Sequence, residues 1–483
     1  MIYQSEKEKT MKIVVLNGSP KGDLSVTLQY AQYLAKTFPE VQFEVIHIAQ
    51  RIKRIENDPK VFAEIIDQVR TADAVLWSFP LYILMVHAHY KRFIELIFER
   101  GVQDAFAGKY AATLSTSIHF FDHTAHIYMQ GICDDLDMHF VEAFSADMQD
   151  LLKKEGQRQL VIFGKHFLDA IQNHAVTQRH YPPVVWSDFR YQSGPAFVKI
   201  PDTGKKIVIV HDSRQPEGNL ARMVERCRAA FEEDVTVVNI HEIDMKASCL
   251  GCLQCGSDQQ CAYEGKDGFI DFYRTQVMAA DIVIYAGTIV DRYLSSRWKT
   301  YFDRCFFNTH TPVLMHKQVA FVISGPLGQV PNLVEIMQGF IELQQANLVG
   351  FVSDESESSA DIDQLLDQLM TSAVNDSQAA YERPFTFLGI AGTQIFRDDI
   401  YGRLRTVFQA DHRAYKRLGI YKTFPQQDWK IGLLNAFTGF VLRIPPIKKV
   451  FKQRIKQGMV QPAQNVVKKQ AAISALQAQP GRE

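Results

Sequence analysis

The chain has 483 residues and a mass of 55.1 kDa, too long for one hydrophobic core and sufficient for two or three domains. Hydrophobic residues make up 46% and charged residues 22%, which excludes a disordered or fibrous chain, and 53 Lys and Arg against 54 Asp and Glu lack the basic excess of a dedicated nucleic-acid binder. Seven cysteines are too few for a disulfide scaffold, the start MIYQSEKEKT is too polar for a signal peptide, and no apolar run reaches membrane-spanning length, so a soluble cytoplasmic protein with reduced thiols is expected.

The first element is Lys12–Ser19 (KIVVLNGS), a β-branched run that ends in a small polar turn. A helical pattern near 24–38 and an apolar strand at 41–48 (VQFEVIHI) follow. That order is a βαβ unit of a parallel sheet. The strand TADAVLWS (71–78), the helix KRFIELIFER (91–100) and the strand KYAATLSTS (109–117) continue it. Residues 172–203, broken by Pro182-Pro183, Gly194-Pro195 and Pro201, read as a linker.

The pattern then begins again. KIVIVHDS (206–213), a helix near 217–232, a strand at 234–240, AADIVIYA (279–286), KTYFDRCFFN (299–308) and KQVAFVISG (317–325) repeat the first series. The offset is 194 between Ser19 and Ser213, and 208 from Asp73 and Asp281 through Lys109 and Lys317. The 14 added residues coincide with a cysteine-rich loop found only in the second half. This predicts a duplicated α/β domain at 11–171 and 204–380, followed by a helical, aromatic and basic extension at 381–483; two unrelated α/β domains are the alternative.

Ligands of open parallel sheets sit beyond the carboxyl ends of the strands. There the first half carries Asn17-Gly18-Ser19-Pro20-Lys21-Gly22, then Ser25 and Thr27; the second carries Ser213-Arg214-Gln215-Pro216-Glu217-Gly218-Asn219. Small residues let backbone approach an anion, and hydroxyls with a helix N-terminus satisfy phosphate oxygens, although such a turn can also be a plain connection. Neither loop has Walker A or GxGxxG spacing, which argues against nucleotide hydrolysis. The second loops, Ser78-Phe79-Pro80-Leu81-Tyr82 and Gly287-Thr288-Ile289 with Arg292-Tyr293-Leu294, place a ring beside turn amides, suited to a flat heteroaromatic ligand. The third loops are Ser115-Thr116-Ser117 and Ser324-Gly325-Pro326-Leu327-Gly328. Phosphate at the first loop and a flat ring between the others describe a flavin mononucleotide pocket.

Both halves resemble the flavodoxin-like NAD(P)H-dependent FMN reductase superfamily, over about 11–150 and 205–380. The first half keeps Gly18, Ser19, Pro20, Lys21, Pro80, Tyr82 and Lys91-x-Phe93; the second keeps Ser213, Arg214, Gly218, Asn219, Lys299 and Asp303-Arg304. Asp212 stands where the superfamily usually has Gly, and the Gly-Asn-Thr end of the first loop is blurred into Asp23-Leu24-Ser25, so one pocket is expected to be degenerate.

Cys249, Cys252, Cys255 and Cys261 form C-x2-C-x2-C-x5-C. Structural zinc more often takes two separated knuckles, whereas four thiolates on one loop can wrap a compact cluster; zinc, no metal and a redox disulfide remain open alternatives. The spacing resembles the iron-sulfur flavoproteins of the same superfamily, which implies a [4Fe-4S] cluster beside FMN. Cys133, Cys227 and Cys305 fit buried positions in helices. His119, His123 and His126 invite a metal reading, with solvated or core-capping roles favoured; His87 and His89 stay open. Beyond Gly432–Leu442, an apolar run, nine Lys and Arg face one acid, Glu483, across 443–483. Such a tail can pack on the core, lie on an anionic membrane surface or dock an acidic partner.

The expected fold is α/β: two tandem flavodoxin-like doubly wound parallel sheets plus a helical C-terminal extension. The expected function is that of an NAD(P)H-dependent FMN reductase-like oxidoreductase moving electrons between FMN, a [4Fe-4S] cluster and a redox partner protein or small-molecule acceptor. The FMN-site candidates are Gly18, Ser19, Pro20, Lys21, Ser25, Pro80 and Tyr82 in the first half, and Ser213, Arg214, Gly218, Asn219, Thr288, Tyr293, Ser324 and Gly325 in the second. The four loop cysteines are the cluster ligands, and no acid-base side chain is assigned. A cluster-free FMN or quinone reductase and a non-catalytic electron carrier are the rivals. The chain forms either a dimer or, through its duplication, an internal pseudo-dimer.

Overall fold

A computed structural model describes residues 10–194, 199–232, 235–423 and 429–477. Pro195 of the expected linker, Asp234 of the expected strand and 478–483 of the extension lie outside these.

The first half contains β1 (Lys12–Asn17), β2 (Gln42–His47), β3 (Ala74–Tyr82), β4 (Met85–Val86), β5 (Tyr110–Ser117) and β6 (His139–Asp147). The second contains β7 (Ile207–His211), β8 (Thr236–Asn239), β9 (Ile282–Thr288), β10 (Gln318–Ser324) and β11 (Asn347–Ser353). The sheets run β2-β1-β3-β5-β6 and β8-β7-β9-β10-β11, parallel throughout, with β4 adding an antiparallel hairpin to β3. Two flavodoxin-like sheets of one order therefore stand in one chain. The central strands are apolar and buried along nearly their whole length because helices cover both faces, whereas the edge strands β2 and β8 are only partly buried. Each sheet packs its own core, around Leu28, Leu34 and Phe163 in the first half and Met223, Leu366 and Met370 in the second.

The halves meet through helices Ala88–Glu99 and Ser296–Arg304, which start 208 residues apart. The Ala88 N–H donates to Asp303 Oδ2 at 2.8 Å, and the Ser296 N–H donates to Glu95 Oε1 at 2.6 Å. Both residues of each pair are displaced by the same 208, so one contact is the pseudo-twofold image of the other, the pattern of an isologous interface. Buried Lys91 pairs with Glu95 and with Asp291 across the interface, at 3.0 and 2.8 Å. Its counterpart Lys299 pairs with Asp303 and donates to the Tyr82 carbonyl at 2.8 Å.

The expected extension divides. Residues through Ala414 belong to the same compact unit as both sheets, and Tyr415–Glu483 form a second. The division follows burial: Phe396, Ile400, Phe408 and Asp411 are buried in the first unit. The second unit holds the 3-10 turn Ile420–Thr423 and helices Trp429–Val441 and Pro445–Gln477. No helix among the described residues is long and apolar enough to cross a membrane.

Candidate active site

The carboxyl ends of β1, β3 and β5 open into a cavity of about 380 Å³. Ser19, Lys21, Ser25 and Thr27 line it from the first loop, Pro80 and Tyr82 from the second, and Thr116 and Ser117 from the third. The first loop is held by its own hydrogen bonds. Asn17 Oδ1 accepts from the Ser19 N–H at 3.1 Å, and Ser19 Oγ accepts from the Lys21 N–H at 3.3 Å. Ser25 caps helix Val26–Thr37 by accepting from the Leu28 N–H, and the buried Thr27 and Thr116 hydroxyls share a 2.6 Å bond that ties loop one to loop three. Gly18 lies below the cavity wall, against the Tyr90 ring, and donates to the Ser78 carbonyl at 2.7 Å. Pro20 is half-buried in the turn and is not part of the wall.

The β3–β4 hairpin turns on Ile83 and Leu84, with φ of 34° and 61°. Positive φ is uncommon for a β-branched residue, and both residues line the cavity. No Asp or Glu among the described residues lines it; Lys21 and His310 are its charged or titratable polar groups besides Tyr82 and Cys305. His310 is held by Asp411, which accepts from its Nδ1 at 2.9 Å.

Three features of this wall come from outside the first sheet. Phe340 and Leu343 of helix Pro331–Leu343 face the cavity from the second half. Phe396, Leu404, Val407 and Phe408 roof it. The roof is pinned on both sides: Arg403 donates two bonds to Asp147 at the end of β6, at 2.8 and 2.7 Å, and Asp411 accepts from Thr309, His310 and Thr311.

The third feature is the cysteine loop, which contributes Gly251 and Leu253. The loop follows the second strand of the second half, yet it lies against the first half's crevice, because the pseudo-twofold contact turns that edge toward the other sheet. Gly251 adopts φ +64°, and a Cβ there would collide with Tyr82 and Lys21. His87 Nε2 donates to the Cys249 carbonyl at 2.8 Å while its Nδ1 accepts from the His89 N–H. His89 Nδ1 donates to the Ala49 carbonyl at 2.9 Å, and its Nε2 accepts from the Ser248 N–H at 3.4 Å. Burial holds these imidazoles neutral, pushing them down to about 3 and about 4. They anchor the loop to the first half.

Cys249, Cys252, Cys255 and Cys261 line one small cavity with Tyr263, Arg304, Phe306 and Phe307. Burial raises the Cys249 and Cys255 thiols to about 12. Among the described residues no group of three or more His, Cys, Asp or Glu is arranged to hold a metal ion, so as free thiols the four share a cavity without closing on one point. Cys133, Cys227 and Cys305 are buried.

The second half's crevice is built differently. Asp354 accepts from Asn219 Nδ2, Ser324 Oγ and the Gly325 N–H, at 2.8, 2.8 and 2.7 Å. Asp212 accepts from the Thr288 N–H at 3.2 Å and Ser295 Oγ at 2.6 Å, and burial raises its carboxyl to about 6. The segment expected as a linker covers the same loops: Asn219 donates to the Phe189 carbonyl and accepts from the Tyr191 N–H, and Gln329 bonds both backbone groups of Val185. Ser213 bonds within its own turn, Arg214 is exposed beside His241, Gly218 precedes helix Asn219–Ala229, and Tyr293 is buried at the interface next to Asp291. Of the eight second-half candidates, Asn219, Thr288, Ser324 and Gly325 thus direct donors to Asp354, Asp212 or backbone of the same chain.

The histidine cluster also disperses. His126 is sandwiched between Thr113 and Ser115 hydroxyls at 2.8 and 2.7 Å, His119 pairs with Asp122, and His123 pairs with Glu335.

The sequence profile of the NADPH-dependent FMN reductase family matches residues 11–149 and again 205–351, more than half of the chain. The chain belongs to that family. It is an NAD(P)H-dependent FMN reductase-like flavoenzyme with the family domain twice over. Among solved structures it is similar to an NADH:FMN oxidoreductase in its apo form, with 22% identity over 33% of this chain and 88% of that one and a TM-score of 0.29. It is also similar to FerB, an NAD(P)H:(acceptor) oxidoreductase from Paracoccus denitrificans (20% identity, 34% of this chain, 98% of that one, TM-score 0.29). A third is an FMN-dependent NADH-azoreductase from Bacillus anthracis in complex with FMN (15%, 34%, 99%, TM-score 0.24). No curated protein matches the chain.

The first cavity fits the flavin of such a reductase in its chemistry. Lys21 and the hydroxyls of Ser19, Ser25 and Thr27 can satisfy a phosphate without a competing carboxylate, and the walls beyond them are apolar and aromatic, as a ring system requires. Gly251, Phe306, Phe396 and Phe408 were missed by sequence reasoning. The positive φ of Ile83 and Leu84 left no trace in residue type, while the aromatic content of 381–460 was the one signal that pointed to the roof.

Proposed function

We propose that this flavoenzyme binds one FMN per chain, in the first-half cavity, and that Cys249, Cys252, Cys255 and Cys261 hold a [4Fe-4S] cluster beside it. The observation that carries the reading is the crossing of the cysteine loop from the second half into the wall of the first half's cavity, through Gly251 and Leu253. Bound flavin supplies two-electron acceptance from NAD(P)H and one- or two-electron release, and a cluster carries single electrons. Around them the chain's own residues bind, orient and exclude water. Lys21 and the loop-one hydroxyls hold the anionic end, the Tyr82–Leu84 hairpin flanks the ring, and the Phe396–Phe408 roof shields it from solvent. Four sulfur donors in thirteen residues match the donor set of such a cluster, and the acceptor is a redox protein or small molecule. The two halves stand in for the two subunits of a dimer, so the chain works as an internal pseudo-dimer.

An absorption spectrum of anaerobically purified protein, with iron, sulfide and FMN measured on the same sample, tests this reading. It predicts flavin bands over broad iron-sulfur absorption with about four irons and four sulfides per chain, and a Cys252→Ala variant that loses iron while keeping FMN. Flavin without iron, also after anaerobic reconstitution, leaves a cluster-free FMN or quinone reductase.

A further inference from the structure

We propose that the second unit docks on the surface of an anionic lipid bilayer, with helix Trp429–Val441 lying in the headgroup plane and the basic helix after it held against the charge of the lipid. No residue of Trp429–Val441 is buried. Trp429, Ile431, Leu433, Leu434, Phe437 and Phe440 are 55–69% exposed. Trp429, Leu433, Phe437 and Phe440 recur at spacings of four, four and three, so they share one face, while Ile431 lies with Asn435 and Thr438 on another. Exposed apolar surface of this extent marks an interaction site. Thirteen residues make a helix of about 20 Å, short of the roughly 30 Å of a hydrocarbon core, so the helix can lie in a membrane surface but cannot span it.

Charge selects the occupant. Ten of the 53 Lys and Arg lie beyond residue 428, against one of the 54 Asp and Glu, so this tail carries +9 and residues 1–428 carry −10. An anionic surface attracts the tail and repels the body, which fixes which part of the chain makes contact. A second copy of the tail would bring like charge to like charge. The next helix repeats the design: Ile447, Phe451, Ile455 and Met459 fall every four residues, all at least 40% exposed, among Lys448, Lys449, Lys452 and Arg454. An apolar stripe flanked by basic side chains suits a helix that lies on an anionic bilayer.

The test uses the full chain with two kinds of vesicle, phosphatidylcholine alone and equal parts phosphatidylcholine and phosphatidylglycerol. Co-sedimentation and tryptophan emission are read, with Trp429→Phe as the control that assigns the signal. The proposal expects binding to the phosphatidylglycerol vesicles, a blue shift of Trp429 emission and weakening by salt. Reversing Lys448, Lys449 and Lys452 to Glu lowers the bound fraction at least about tenfold, and Phe437→Ser lowers it without changing the salt dependence. Because none of these side chains is buried, circular dichroism of the variants stays that of the parent. Equal binding of the triple variant, no binding to the anionic vesicles, or a Trp429 shift that arises from self-association without lipid would each overturn it; the last outcome would assign the face to a second copy.

Discussion

At the carboxyl end of the first sheet, Lys21 and a group of hydroxyls face a cavity that no described carboxylate lines. At the corresponding edge of the second sheet, Asp354 gathers Asn219, Ser324 and Gly325, Asp212 gathers Thr288 and Ser295, and residues 185–191 run across the loops. The strand order is the same and the chemistry is opposite. The difference teaches how a duplicated fold divides its labour. In the second half these donors meet carboxylates of the same chain, and the cysteine loop, Phe306 and helix Pro331–Leu343 line the first half's cavity.

Four perturbations sharpen or break that comparison. The largest effect is expected from Asp354→Ala, which leaves three donors of the second crevice without their acceptor. Stability should fall by about 3–4 kcal/mol in a denaturant titration, with FMN content unchanged; loss of FMN instead would put the flavin in the wrong half. Next, the halves should respond to acid with opposite sign. Burial depresses His126 to about 4, so its contribution is complete above an unfolded value of about 6.5 and is lost as pH falls toward 4. Asp212 is raised to about 6, so its buried charge costs stability above 6 and that cost is relieved as pH falls toward the ordinary carboxylate range. Each is worth up to about 3 kcal/mol. Denaturation at neutral and acid pH should show His126→Gln losing less than the parent on acidification, and Asp212→Asn gaining most at neutral pH. Identical pH profiles for parent and variants would remove both assignments.

The smaller effects concern binding. Lys21→Glu should weaken FMN by about thirtyfold, or about 2 kcal/mol, measured by flavin fluorescence quenching, while Arg214→Ala, on the equivalent loop, should leave it unchanged. Arg403→Ala frees the roof from Asp147 and should weaken FMN by about fivefold, near 1 kcal/mol, with a matching rise in solvent quenching of the bound flavin. No change on loosening the roof would mean that Phe396 and Phe408 do not cover the ring.

Much of the first crevice was legible because parallel strands announce themselves as β-branched runs and their loops follow directly. The repeat was legible too, and it extended further than the strands first recognised: β6 and β11, at His139 and Asn347, keep the offset of 208. Asp212 stood out in sequence as a carboxylate at a phosphate turn. Asp354 did not, since its partners Asn219 and Ser324 lie 135 and 30 residues away and only the folded sheet brings them together. For the same reason Ser213 and Asn219 read as a phosphate loop although their side chains bond to Gln215, Phe189 and Asp354 of the same chain. The crossing of the cysteine loop depends on the pairing of Ala88 with Asp303 and of Ser296 with Glu95, a relation between halves that no local pattern encodes. Arg403 belongs to the site through Asp147, 256 residues away, and Phe408 through Phe306 and His310, about 100 residues away.

The claim that only the first crevice takes FMN is tested most directly by the ratio of FMN to polypeptide in parent protein, Lys21→Glu and Arg214→Ala, each saturated with FMN and freed of excess. The account predicts about one FMN per chain in the parent and in Arg214→Ala, with Lys21→Glu losing its flavin when diluted. Two FMN per chain, or flavin retained by Lys21→Glu and lost from Arg214→Ala, would contradict it.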